Sequence, residues 1–189
     1  MTTGPSPFAE LTVRAVRADE AARLAELAEH LFRHTYVLTH PAADLELYVS
    51  QAFGAARQAE ELADPSMTTL LAESPSGETI GYAQLRAGPA PLEVPGARPV
   101  EVARFYVAAA WHGHGVAARL MDACRAEAHR RGGDVLWLGV WEENARAIAF
   151  YRKSGFAPVG TQAFQFGSRT ERDFVMSRFI APLAPLLEE

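Results

Sequence analysis

The sequence predicts a mixed α/β domain of the α+β kind, in which a mostly antiparallel sheet of about seven strands is flanked by helices. Three observations carry this. A single strand, glycine loop and helix run from Glu101 to Ala128, reading EVARFYV, AAAW and HGHGVAARLMDACRAEA. Ahead of that unit, two β-rich runs, MTTLLAE and TIGYAQLRA, flank Ser74-Pro75-Ser76-Gly77, a composition suited to a hairpin turn. Behind it, Phe156 to Phe166 and Arg172 to Phe179 read as a second antiparallel pair. A doubly wound parallel fold would repeat strand and helix from its N-terminus, and this chain does not.

The elements follow in order. Residues 1–8 carry Gly4, Pro5 and Pro7 and are expected to form a loose arm. Leu11 to Val16 is a strand with Leu11, Val13 and Ala15 inward, and Asp19 can cap the next helix. There Leu24, Leu27, Ala28, Leu31 and Phe32 recur at helical spacing, giving one buried stripe. A second helix starts at Pro41 with Leu45, Tyr48, Val49, Ala52 and Phe53 on its apolar side. A third runs from Ala55 to Leu62 and ends at Asp64-Pro65, because the residue before proline disfavours helix.

After the hairpin, the Pro- and Gly-rich stretch from Gly88 to Pro99 is a loop. In the central helix the apolar positions are Val116, Leu120, Ala123 and Cys124, and Gly132-Gly133 stops it. Val135 to Trp141 is nearly all apolar, as in a strand covered on both faces. Asn144 can cap a helix reaching about Lys153, which Gly155 ends. The expected organisation is one domain over residues 9–180 with a tail at 181–189.

Composition narrows the function classes. A chain of 189 residues suits one well-buried domain. The net charge of −5, with no Lys/Arg cluster, gives no footprint for nucleic acid. Cys124, the only cysteine, rules out an intrachain disulfide and a cysteine-based zinc site, and belongs to core packing. No apolar run nears the roughly 20 residues that cross a bilayer, and MTTGPSPFAE lacks signal-peptide features, so a cytoplasmic protein without membrane contact is expected. His30, His34 and His40, like His112 and His114, lack acidic or cysteine partners at ligand spacing, so no metal is expected.

Gly113 and Gly115 stand where a strand hands over to a helix. First-turn N–H groups there lack intrahelical partners and carry the positive end of the helix dipole, so the site suits an anion such as a pyrophosphate. Two patterns fit. Gly113-x-Gly115-x-x-Ala118 matches a dinucleotide fingerprint, with Glu142 placed to meet a ribose. His112-x-x-Gly115-x-Ala117 resembles the acyl-CoA loop of the GCN5-related N-acetyltransferases (GNAT family). The element order and a second motif, LWLGVWEENARAIAFYRKSGF, resemble that family over nearly the whole chain and favour the second pattern.

The resemblance implies the GNAT fold, acetyl-CoA as cosubstrate and a set of site residues. The main chain of Phe105, Tyr106 and Val107 would pair with the pantetheine arm. His112, Gly113, His114, Gly115, Val116, Ala117 and Ala118 would form the pyrophosphate loop, and Asn144 would reach the pantetheine or its phosphate. His112 departs from the family's Gln or Arg, which implies weaker cofactor affinity. Tyr151 would stand near the thioester sulfur as the acid that protonates the leaving thiolate, a role worth on the order of 10²–10⁴ in rate. Glu101, where some relatives carry a carboxylate, is the candidate base, and Glu142 the alternative.

VGTQAFQFGSRTERDFVMSR carries the Phe-x-x-Gly and Asp-x-x-Met pattern of the spermidine/spermine N-acetyltransferase-like branch, and Thr35 matches that branch too. The implied acceptor is a small-molecule amine, a polyamine on the likeness to that branch, with Glu46, Glu101, Glu142 and Asp173 as carboxylates suited by type. An acyl-CoA-binding sensor without catalysis is the other reading, but such a degenerate chain would be expected to lose Tyr151 or Asn144 and keeps both. The tail APLAPLLEE leaves a homodimer open.

Overall fold

The computed structural model describes residues 11–180; the expected arm at 1–8 and tail at 181–189 lie outside them. The chain runs β1 (Thr12–Ala15), a 3₁₀ turn (Ala18–Glu20), α1 (Ala21–Tyr36), α2 (Ala42–Ala52), α3 (Ala55–Ala63), β2 (Met67–Glu73) and β3 (Thr79–Ala87). It continues with β4 (Pro99–Val107), a second 3₁₀ turn (Ala109–Trp111), α4 (Val116–Arg130), β5 (Val135–Trp141), α5 (Ala145–Lys153), β6 (Ala157–Phe166) and β7 (Arg169–Phe179). The seven strands form one sheet in the order β1-β2-β3-β4-β5-β7-β6. Only β4 and β5 are parallel, which removes the dinucleotide-fold alternative.

Helices cover both faces. Against one, α4 packs Val116, Leu120, Met121, Cys124 and Ala128 onto Ile80, Leu85, Val102 and Leu138. Leu120 is fully buried, a placement that contributes about 1.5–3 kcal/mol for such a side chain. Against the other, Leu24, Ala28, Leu31 and Phe32 of α1 meet Leu45 and Val49 of α2 over Leu71 and Tyr82. Among the described residues no helix is long and apolar enough to cross a membrane.

Local chemistry adjusts several ends. Asp19 does not cap α1: it pairs with Arg17, while Glu20 accepts from the Arg17 amide at 3.0 Å and from the Arg14 guanidinium. Leu11, just ahead of β1, is buried, but Ala15 at its end is exposed. Pro41 is the N-cap of α2 rather than its first turn. β4 starts at Pro99, since a proline is tolerated at the first strand position. The β6–β7 turn is tied to α2, because Ser168 N and Oγ donate to Asp44 Oδ1 at 2.8 and 2.6 Å. Gly167 lies there at φ +59°, with room for a Cβ taken by the Asp44 backbone.

Candidate active site

β4 and β5 pair only from Pro99↔Val135 to Glu101↔Trp137 and then diverge. A bulge helps to drive them apart: β3 pairs Gln84 with Arg104 and Leu85 with Val102, which leaves Ala103 as the extra residue that twists β4. Past Glu101, the β5-facing main-chain groups of β4 therefore have no strand partner, and such groups require one. The opening is a cleft of about 860 Å³ whose lining includes Phe105, Tyr106 and Val107.

At one end of the cleft, the chain leaves Val107 through the second 3₁₀ turn into the loop that opens α4. Gly113 and Gly115 both have φ of +81° with open space where a Cβ would sit. Backbone conformation, not crowding, therefore calls for glycine. His112, Gly113, Gly115, Ala117 and Ala118 line the cleft with Asn144, whereas His114 and Val116 do not; the Val116 side chain is buried in the core. Asn144 Oδ1 accepts from Ala147 N at 3.1 Å and caps α5.

Both nitrogens of His112 are engaged. Arg146 Nη1 donates to Nδ1 at 2.6 Å, and because a guanidinium only donates, Nε2 must carry the proton it gives to Val107 O at 2.9 Å. The exposed cation at this loop is thus Arg146, which the sequence reading passed over. Arg125, Lys153 and Arg178 also line the cleft.

Tyr151, on α5, lines the cleft at 8 % exposure, with ring contacts to Phe105 and Phe156. Burial, then the nearby Tyr36 and Cys124, push its hydroxyl above the usual tyrosine range. The structure does not bring Glu101 to it. Glu101 is absent from the cleft lining, and its Oε2 accepts from Arg86 Nε at 2.8 Å across the β3–β4 ladder. Glu142 lies at a separate surface hollow with Arg172 Nε donating to it at 2.7 Å, and Glu46 is held by Arg33. Neither lines the cleft.

The other end of the cleft is walled by aromatic rings. Phe32 stacks on Tyr48 at 4.6 Å and Tyr48 on Phe166 at 5.3 Å, while the Arg104 guanidinium lies 5.1 Å from the centroid of the Phe53 ring. Arg104 is neutralised by Glu61, accepting at 2.6 Å. Thr35 lines this end, with its Oγ1 donating to Leu31 O. Two carboxylates of β7 also line it, Glu171 and Asp173. Buried His40 meets Glu171 through Nε2 at 3.1 Å, and Thr39 Oγ1 meets its Nδ1. Burial, then the charge of Glu171, push Asp173 up to about 6. The available signal was the i, i+2 spacing of Glu171 and Asp173, which puts both on one face of a strand. Among the described residues, no three His, Cys, Asp or Glu side chains cluster as a metal site.

Comparison with known proteins agrees with this architecture. Residues 24–156 match the Acetyltransferase (GNAT) family. An uncharacterized N-acetyltransferase of Mycobacterium tuberculosis is 36 % identical over 165 residues, covering 85 % of this chain and 96 % of the relative. The crystal structure of PaiA N-acetyltransferase from Thermoplasma acidophilum in complex with coenzyme A superposes with a TM-score of 0.71 at 17 % identity, over 90 % of this chain and 99 % of that one. The structure of YncA from Salmonella typhimurium with its cofactor acetyl-CoA gives a TM-score of 0.66 at 24 % identity, over 94 % and 98 %. At those identities the structural likeness speaks for the fold, and the family match with the mycobacterial relative decides membership: this chain belongs to the GNAT family of acetyltransferases.

Proposed function

We propose that this acetyltransferase moves an acetyl group from acetyl-CoA to a primary amine of a small cationic molecule, with a polyamine as the acceptor class that fits best. The observation that carries this reading is the polarity of the cleft. Its glycine-loop end offers α4 amides and Arg146, suited to phosphates, while its far end offers aromatic faces, the buried carboxylate of Asp173 and the part-buried one of Glu171, suited to an ammonium.

Under this reading the main-chain groups of Phe105 and Tyr106 that face away from β3, with the neighbouring Val107 whose carbonyl His112 already engages, satisfy the pantetheine amides. The amides from Gly113 to Ala118 hold the pyrophosphate, and Asn144 fixes the start of α5. Tyr151 gives its proton to the sulfur as the C–S bond breaks. A thiol of ordinary pKa ~8.5 is a stronger acid than a phenol of ~10, so this transfer needs a site in which the thiolate is itself desolvated. Tyr151 is buried, as that requires.

A thiol-release assay with acetyl-CoA against polyamines, amino acids and short peptides, run beside CoA binding, tests the proposal. Turnover with spermidine or another polyamine is expected. Turnover confined to peptides or uncharged amines would replace the acceptor class, and CoA binding without turnover on any amine would leave a sensor.

A further inference from the structure

We propose that Asp173 is the base of this reaction: it receives the acceptor's ammonium group and takes its proton before attack. The inference rests on the amine-acetylation reading and names a group that reading leaves open, since Glu101 is held by Arg86 outside the cleft.

Asp173 is only 6 % exposed yet lines the cleft. Burial, then the charge of Glu171, push its carboxyl up, and no donor among the described residues hydrogen-bonds to it. Burial without a donor disfavours the charged carboxylate, and a cation entering the cleft would favour it. The neighbouring carboxylate does not compete equally, because Glu171 already faces His40 at 3.1 Å.

The sheet makes room for this group. Gly139, in the middle of β5, is a weak strand residue, and a Cβ there would lie 3.0 Å from Asp173 Oδ2 and 2.6 Å from Gln162 Nε2. Trp141 is paired directly across from Asp173, closing one side of the space. The titratable groups around Asp173 are Glu171 on its own strand, His40 behind Glu171, Tyr36 of α1 and Tyr48 of α2. Arg104 of β4 also lines the cleft, with its charge already matched by Glu61. Tyr36 stands within electrostatic reach of both Asp173 and Tyr151, so the proposed base and acid serve one stretch of the cleft.

The step balances. The ammonium gives one proton to the Asp173 carboxylate, and the freed nitrogen lone pair forms the C–N bond at the thioester carbonyl. The C–S bond breaks with its electron pair on sulfur, which takes the Tyr151 proton. The second nitrogen proton restores the Tyr151 phenol, and Asp173 releases its proton to water. The net products are the N-acetyl amine, the free thiol and one proton.

The test is Asp173→Asn, assayed with an amine that the wild type acetylates, with kcat/KM followed from about pH 5 to 9 beside acetyl-CoA binding by calorimetry. General-base loss predicts a fall in kcat/KM on the order of 10²–10⁴ with acetyl-CoA affinity unchanged. It also predicts that the wild-type acid limb disappears. That limb has a definite sign: the carboxylate form is the active one, so wild-type kcat/KM falls as the pH drops through about 6. A variant that keeps the wild-type rate and acid limb overturns the proposal and leaves the acetyltransferase reading intact. If the variant does not fold, the wild-type profile decides, and a flat kcat/KM through that range overturns it. A wild type that binds acetyl-CoA yet acetylates no amine overturns the acceptor reading and this inference together.

Discussion

Arg146 and His112, 34 residues apart in the chain, meet through Nη1 and Nδ1 at 2.6 Å beside the glycine loop. A histidine where relatives favour Gln or Arg is therefore no plain loss of charge, since α5 brings a guanidinium to the same place. Arg146→Ala should weaken acetyl-CoA binding about tenfold, the low end for an exposed charge-assisted hydrogen bond of about 1.5–3 kcal/mol, while kcat at saturation holds. Calorimetric titration of both proteins measures it. Equal dissociation constants would take Arg146 out of the phosphate site and leave it as a brace for His112.

Tyr151 is an acid that burial keeps protonated. Because its pKa is raised above the ordinary range, the phenol persists across neutral and moderately basic pH, so its proton is always available. Tyr151→Phe should lower kcat by roughly 10²–10⁴ and spare acetyl-CoA affinity. Single-turnover kinetics with an active amine would check this. A wild-type rate constant in the variant would assign proton delivery to water.

The order of elements was legible because each carries its own local signal: helical stripes in α1 and α4, a hairpin turn at Ser74 to Gly77, an apolar run for β5. The loop at Gly113 and Gly115 was legible for the same reason, since a positive φ at a strand-to-helix junction selects glycine locally. Partners set by long-range register were not. Glu101 looked available until the β3–β4 ladder placed Arg86 opposite it, and nothing near either residue in the sequence signals that pairing. Asp173 posed the converse problem: it is buried beside Gly139 and Trp141 of β5 and Gln162 of β6, pairings set by register, while its residue type alone would suggest a solvated carboxylate.

Glu61 and Arg104 link stability to the cleft. Arg104 donates to Glu61 Oε2 at 2.6 Å and Oε1 at 3.2 Å, Gln84 and Arg57 add donors at 3.0 and 2.9 Å, and both members of the pair are largely buried. Burial pushes the Glu61 carboxyl up, but Arg104, Gln84 and Arg57 outweigh it and hold it below the ordinary glutamate range. The sign follows. A depressed pKa means stability that is present above the ordinary range and is lost as the pH falls below that range and through the depressed value. Glu61→Ala should cost about 3–5 kcal/mol in urea unfolding by leaving a buried guanidinium unpaired, and Glu61→Leu with Arg104→Met should recover most of that loss. Glu61→Gln is the more telling variant for function. It keeps the shape but leaves the Arg104 charge uncompensated in a cleft proposed to receive a cation, so KM for the amine should rise while acetyl-CoA affinity holds. An unchanged amine KM would mean that Arg104 acts on the fold alone and that its charge does not reach the acceptor.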